Sequence, residues 1–186
     1  ILIEMQKRGA QVIDLEGVAH HRGSAFGHLG LAPQPSSEHF ENEVVAHLRQ
    51  MDYSKPIWIE DESRHIGQVF MPLGLYTQLR AAPILFLDIA AEYRLPHLVE
   101  VYAHYPKEAL AHAVGKIKKR LGGDFYKNAI EALEVDDFTL VAAITLHYYD
   151  KAYVHGLKKR LPEQIQELVM DTLETSVQTD AVMDHR

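Results

Sequence analysis

Residues 11–30 read QVIDLEGVAHHRGSAFGHLG, in which a short apolar run is followed by a loop rich in histidine and glycine. The run at 11–15 follows Gly9 and has the β-branched composition of a strand that is covered on both faces. Two similar runs come later, PIWIED at 56–61 and APILFLDI at 82–89. We therefore predict three buried strands within the first half of the chain.

Helical patterns separate these runs. Residues 36–51, SSEHFENEVVAHLRQM, begin with serines that favour a helix N-cap, and their apolar residues recur at helical spacing. A short strand within 66–72 and a helix over 73–80 are predicted before the last run. The alternation of strand and helix is typical of a parallel sheet with right-handed crossovers, so the predicted fold class is α/β.

The pattern changes after residue 89, where we predict helices and no further strand. The change of pattern predicts two domains, an α/β core at 1–89 and a helical extension at 90–186. The predicted helices cover residues 90–103, 106–121, 124–134, 137–160 and 162–177.

Composition limits the classes of function. The chain contains no cysteine, which excludes a thiolate nucleophile among these 186 residues and fits a cytoplasmic protein. No apolar run reaches the roughly 20 residues that span a bilayer. A formal charge of −7 argues against a uniformly basic, nucleic-acid-coating surface, so a polyanion site would have to be local.

The first residues predict that the chain is a fragment. It starts at Ile1, and residues 1–9 have the pattern of the second half of an amphipathic helix. In P-loop proteins the phosphate-binding loop opens such a helix, and the helix leads into the next strand. No Walker A motif occurs in the chain, because the Gly-Lys pair at 115–116 lies in a predicted helix and lacks the required flanking residues.

The loop after the first strand is the predicted ligand site, since open parallel sheets bind ligands beyond the carboxyl ends of their strands. Arginine offers a forked donor to phosphate, glycines allow backbone N–H groups to approach oxygens closely, and serine adds a hydroxyl. An alternative is that the glycines only permit tight turns while Arg22 pairs with Asp14 or Glu16. The candidate phosphate-binding residues are Arg22, Gly23, Ser24 and Gly27.

Acidic side chains come directly after the second predicted strand, in the segment WIEDESRHIG at 58–67. A carboxylate at such a strand end can hold Mg²⁺ beside a phosphate, as it does in P-loop proteins. Glu60 and Asp61 are the candidate ligands. The alternative is a solvated acidic loop that caps neighbouring helices.

Two basic runs lie on predicted helices of the extension and are candidates for binding a nucleic-acid backbone. Aromatic residues at 125, 126, 148, 149 and 153 lie nearby in the sequence and could stack on unpaired bases. The alternative is that the lysines complement helix dipoles while the aromatic residues pack a core. The basic residues are Lys116, Lys118, Lys119, Arg120, Lys158, Lys159 and Arg160.

The segments QVIDLEGVAHHRGSAFG, QPSSEHFENEV, IWIEDESRHIGQVFMP and LRAAPILFLDIAAEYRLPHLVEVY together resemble the C-terminal P-loop half of the tRNA 2-selenouridine synthase family. The resemblance runs through almost the whole chain and implies a P-loop NTPase-like sheet with a C-terminal helical extension. It implies an enzyme that geranylates the sulfur of wobble 2-thiouridine in tRNA from geranyl diphosphate and then introduces selenium from selenophosphate.

The resemblance also implies parts that these residues lack. In the family an N-terminal rhodanese-like domain carries a catalytic cysteine, and a Walker A segment precedes the region matched here. We therefore expect this chain alone to be inactive in selenium transfer. Within it, the candidates for proton transfer or hydrogen bonding to the substrate are His20, His21, Asp14 and Glu16.

Two other functions remain open from the sequence. One is a non-catalytic RNA-binding or scaffolding module that uses only the helical extension. The other is a truncated P-loop nucleotide kinase or NTPase.

Overall fold

A computed structural model describes residues 1–185. The chain forms two compact units, the first made of residues 1–84 together with the segment that begins at Glu174, and the second made of Leu85–Leu173. This division differs from the predicted domains at 1–89 and 90–186, because the C-terminal segment belongs to the first unit.

The first unit combines short strands with helices. Its elements are α1 (Leu2–Lys7), β1 (Gln11–Ile13), α2 (Leu15–Ala19), α3 (Ser37–Leu48), β2 (Ile57–Ile59), β3 (His65–Ile66), β4 (Val69–Phe70), α4 (Leu73–Ala81) and α9 (Thr175–Asp184). Strands β1 and β2 pair in parallel, with Val12 opposite Trp58 and Ile13 opposite Ile59. Strands β3 and β4 form an antiparallel hairpin. The predicted α/β class is confirmed.

The core of the first unit lies between α2, α3 and the strands. Helix α3 begins after Ser36, whose side chain accepts a hydrogen bond from the His39 N–H, as the serine pair predicted. Phe40 and Val44, one turn apart, are almost completely buried on the inner face of α3. They pack with Ile13 from β1, so burial of the helix and of the strand stabilises one core.

Helix α2 was not predicted, since the first strand was predicted to reach residue 15 and to lead directly into a loop. Its formation has two local causes. The Asp14 carboxylate caps it by accepting a hydrogen bond from the Gly17 N–H at 2.7 Å. Leu15 and Ala19, four residues apart, are both fully buried.

The second unit is mainly helical. The predicted helices at 90–103, 106–121, 124–134 and 137–160 are confirmed within a few residues, and among residues 1–185 no helix is both long and apolar enough to traverse a bilayer. Helix α6 packs on α7, α7 on α8 and α5 on α8. The elements are β5 (Ile84–Ile89), which begins at the boundary between the units, α5 (Ala91–Tyr102), α6 (Lys107–Leu121), α7 (Gly123–Glu134), α8 (Phe138–Leu157), a 3-10 turn (Pro162–Gln164) and β6 (Ile165–Met170).

The prediction of a helix at 162–177 and of no strand after residue 89 was wrong. Residues 165–170 form β6, which pairs with β5 in a two-stranded sheet. The strand at 84–89 therefore pairs with β6 instead of extending the parallel pair β1–β2. A pairing between segments about eighty residues apart leaves no local signal, and the Gln and Glu residues of IQELVM favour helix on propensity alone.

Candidate functional site

The candidate site forms where the two parallel strands end. Because Ile13 and Ile59 are opposite each other, the next residues, Asp14 and Glu60, leave the sheet at the same edge. The Glu60 carboxylate accepts a hydrogen bond from the Leu15 N–H at 2.9 Å. The start of α2 is thus held by carboxylates from both strand ends, Asp14 and Glu60.

Four carboxyl groups meet at this edge, and we call Asp14, Glu16, Glu60 and Glu62 the acidic cluster. Burial raises the pKa of Glu16 to about 8, and the charge of Glu62 and a hydrogen bond with it add to the rise. Burial raises the pKa of Glu60 to about 7, although the hydrogen bond from the Leu15 N–H opposes the rise. Burial also raises the pKa of Glu62. A pKa of about 8 keeps Glu16 mostly protonated at neutral pH, which lowers the negative charge of the acidic cluster.

The glycine-rich loop at 20–27 lies directly against this cluster. Gly23 has a φ of +61°, and a Cβ built on it would lie 2.4 Å from Oε1 of Glu62. A side chain at this position would clash as well as strain the backbone. Glycine therefore lets the loop backbone approach the acidic pair, and the structure places the predicted anion loop and the acids of the second strand in one location.

Hydrogen bonds within the loop fix its shape. The Arg22 N–H donates to the Gly27 carbonyl at 3.0 Å, and the Gly27 N–H donates to the Ser24 carbonyl at 2.9 Å. The Ser24 hydroxyl accepts from the Phe26 N–H, and Nη1 of Arg22 donates to the Leu29 carbonyl at 3.1 Å. Arginine has five N–H donors, so the half-buried guanidinium keeps others for a ligand. The pairing of Arg22 with Asp14 or Glu16, the alternative from the sequence, does not occur in the described structure.

The two adjacent histidines have different environments. His20, at a left-handed φ of 50°, is exposed, and its Nδ1 lies 2.9 Å from the Pro33 carbonyl. His21 is only 7% exposed and stacks on His28 with ring centroids 6.4 Å apart. A Cβ on Gly27 would lie 2.9 Å from the His21 ring. His21 therefore packs against the buried side of the loop, whereas His20 is accessible from solvent.

Gln34 holds this region together, and sequence reasoning missed it. Its Nε2 donates to the carbonyls of Ala19 and Ile66, and its Oε1 accepts from the Gln68 N–H at 2.8 Å. The side chain thus connects the end of α2 to the β3–β4 hairpin. No local sequence motif predicts this role, because the hydrogen-bond partners of Gln34 lie 15 to 34 positions away in the sequence.

The sequence of the chain matches a known family along nearly its whole length. Residues 2–182 match the family model described as the tRNA 2-selenouridine synthase AAA domain. The chain belongs to this family. The match covers almost every described residue, including the acidic cluster and the loop.

Curated relatives named tRNA 2-selenouridine synthase support the assignment. The protein of Shewanella oneidensis is 30% identical over 181 residues, which cover 81% of this chain and 48% of the relative. That of Nitrosomonas europaea is 30% identical over 196 residues, covering 80% and 51%. That of Shewanella halifaxensis is 33% identical over 181 residues, covering 81% and 49%. The chain spans about half the length of these relatives, and no solved structure matches it significantly.

The residues of this synthase-family domain that were predicted to hold Mg²⁺ do not form a complete metal site. Asp61 pairs with Arg80 at 3.3 Å, and Glu60 accepts from the Leu15 N–H. Within residues 1–185, no three histidine, aspartate or glutamate side chains converge closely enough to hold a metal ion. Mg²⁺ is commonly bound by one or two carboxylates together with substrate phosphates and water, and Glu60 offers a carboxylate of this kind at the strand edge.

The predicted tRNA-binding residues all lie in the second unit. Lys116, Lys118, Lys119 and Arg120 are exposed on the last turns of α6, and Lys158 and Lys159 are exposed just after α8. Arg160 differs from them because it is only 7% exposed. Its guanidinium is therefore not part of the exposed basic surface, which corrects the uniform interpretation of residues 158–160.

The raised pKa of Glu16 predicts a measurable pH dependence of stability. The unfolded carboxyl loses its proton near pH 4.5 and the folded one near pH 8, so the folded state binds more protons between these values. This contribution to the free energy of unfolding is fully present below pH 4.5 and is lost as the pH rises to 8. Glu16→Gln mimics the protonated form, so its free energy of unfolding is expected to decline less steeply with pH than that of the wild type. The difference in slope should be less than about 1.4 kcal/mol per pH unit, because the carboxyl group is partly solvated.

Urea denaturation at several pH values between 5 and 8.5 checks this expectation, with wild type and variant compared at each pH so that histidine titration cancels. Glu43→Gln, at an exposed position of α3, is the matched control and should have the same pH dependence as the wild type. Parallel curves for Glu16→Gln and wild type would show that Glu16 is ionised throughout.

Proposed function

We propose that this chain is the part of a tRNA 2-selenouridine synthase that binds the phosphate-bearing substrate and the tRNA. In the proposed reaction, wobble 2-thiouridine is geranylated from geranyl diphosphate and then converted to 2-selenouridine with selenophosphate. The observation that carries the proposal is the close approach of the 20–27 loop to Glu62 at the shared strand edge, in a chain that matches the family's AAA domain over residues 2–182.

The loop is the proposed anion-binding element. Arg22 supplies the positive charge, and the backbone around Gly23, Ser24 and Gly27 can approach phosphate oxygens closely. The raised pKa of Glu16 supports this assignment, because a mostly protonated Glu16 lowers the negative charge that a bound anion meets at the acidic cluster. A carboxyl group whose pKa is close to neutral pH is also suited to proton transfer, and Glu16 is the favoured candidate of this kind. The second candidate for proton transfer is His20, which is accessible from solvent.

Mg²⁺ is proposed only as an ion that arrives with the substrate. Glu60 would hold it together with phosphate oxygens, and the ion would neutralise charge on the phosphate group. Selenium transfer is assigned to the whole enzyme, since none of these 186 residues is a cysteine. The family's rhodanese-like domain is the proposed source of the catalytic thiol.

Titration calorimetry with geranyl diphosphate and with inorganic diphosphate tests the anion site. The wild-type chain is expected to bind both ligands, and Arg22→Ala to weaken binding about 10- to 100-fold through loss of a charge-assisted hydrogen bond. Arg22→Lys should recover only part of the affinity, because lysine lacks the planar fork.

Arg49→Ala is the matched control, as Arg49 is an exposed arginine at the end of α3. Equal affinities for the wild type, Arg22→Ala and Arg49→Ala would remove Arg22 from the site. Failure of the wild type to bind either ligand would contradict an anion site at the loop and favour a scaffolding role.

A further inference from the structure

Three contacts join helices α6, α7 and α8 at one corner of the second unit. The Nζ of Lys118 lies 4.5 Å from the ring centroid of Tyr126. The Tyr148 hydroxyl lies close enough to the Arg120 guanidinium to raise the pKa of Arg120. The rings of Phe125 and His147 have centroids 6.3 Å apart. We call these six residues the basic–aromatic corner.

Phe125 is the unusual member of this corner. It lies in the first turn of α7, directly after the α6–α7 turn, and 47% of its surface is exposed. The neighbouring His147 is also exposed. The Phe125 ring is about half exposed and lies beside an accessible imidazole that is tilted to it by 44°, so it offers a surface on which another ring can stack.

The charge around this ring is predominantly positive. The last turns of α6 carry four exposed basic side chains within five residues, while Asp124 is the acidic residue of the first turn of α7. Positive charge close to exposed aromatic rings is the combination by which proteins bind single-stranded nucleic acid, with phosphates paired to cations and bases stacked on the rings. A duplex does not offer free base faces, so the aromatic part of the corner fits unpaired nucleotides.

We propose that the basic–aromatic corner binds a single-stranded RNA loop, with one unpaired base stacked on Phe125 beside His147 and the adjoining phosphates paired with Lys118 and Arg120. This inference rests on the proposed function, since it specifies how the tRNA would be held. It selects Phe125, among the aromatic residues that the sequence offered for base stacking, as the stacking position.

Fluorescence anisotropy with a labelled RNA hairpin that has a single-stranded loop, and with a fully paired RNA duplex of the same length, tests this proposal. Phe125→Ala is expected to weaken hairpin binding about 5- to 150-fold while leaving duplex binding within about twofold. Phe125→Trp, which keeps a flat ring, should bind the hairpin at least as well as the wild type. Phe125→Leu, which keeps apolar bulk without a ring, should behave like Phe125→Ala.

Two controls separate the outcomes. Tyr53→Ala removes an exposed aromatic side chain from the first unit and should leave both affinities unchanged. Circular dichroism and urea denaturation confirm that each variant folds. Hairpin binding that Phe125→Ala leaves intact, or an equal loss on hairpin and duplex, would overturn the stacking position while the tRNA role stands. A wild-type chain that binds neither RNA would overturn both proposals.

Discussion

Replacing Phe40 with alanine is expected to lower the free energy of unfolding of the first unit by about 3–5 kcal/mol, the usual cost of removing a buried phenyl ring. Phe40 has no exposed surface and packs with Ile13 and Leu15. The neighbouring structure is tied to the strand edge by hydrogen bonds, so it cannot collapse freely into the space left by the ring. A cavity would therefore remain beneath α2.

Urea denaturation monitored by tryptophan fluorescence measures this effect in the right part of the molecule. The single tryptophan, Trp58, lies in β2 and so reports on the first unit, which matters because two compact units need not unfold together. Val45→Ala is the matched control, since Val45 lies on the same helix but is 38% exposed, and it should cost less than about 1 kcal/mol. Similar losses for the two variants would contradict the assignment of Phe40 to the core.

The same core determines the geometry of the site. Leu15 is fully buried between Asp14 and Glu16, both of which belong to the acidic cluster. Packing of this one side chain therefore orients two carboxyl groups at the strand edge. Substitutions in the core should for this reason alter ligand binding at the loop even where the protein remains folded.

Local sequence patterns were sufficient for much of the fold. The caps and apolar spacing around Ser36 and Phe40 predicted α3, and the short apolar runs predicted β1 and β2, because each signal is contained within one segment. Strand β6 was missed because only its pairing with β5 makes it a strand. The short helix α2 was missed because the glycines that come after it dominate the local pattern.

The candidate site also has features that the sequence predicted and features that it did not. The sequence predicted a ligand loop after the first strand and acidic residues after the second, and because the two strands are parallel these segments leave the sheet at one edge. The raised pKa of Glu16 could not be predicted, because it depends on burial and on the neighbouring Glu62, which is 46 positions away in the sequence. Nor does the run KKR distinguish the exposed Lys158 and Lys159 from the buried Arg160.

Exchanging Lys118, Lys119, Lys158 and Lys159 for glutamate is expected to weaken tRNA binding by about 100-fold or more at low salt. All four side chains are exposed, so each is available to neutralise a backbone phosphate, and each exchange also adds a repelling charge. The slope of the logarithm of the association constant against the logarithm of salt concentration should decrease by about one for each phosphate contact removed.

The control for this prediction exchanges exposed lysines for glutamate in the first unit. Lys7 and Lys55 have exposed side chains, and Lys7→Glu with Lys55→Glu should change tRNA affinity only slightly. Electrophoretic mobility shift at several salt concentrations measures both variants. If the quadruple variant kept the wild-type affinity and salt slope, the lysines would serve only to complement the ends of α6 and α8, and tRNA would have to bind elsewhere. A loss of affinity with an unchanged slope would point instead to altered folding, because removal of phosphate contacts cannot leave counterion release unaffected.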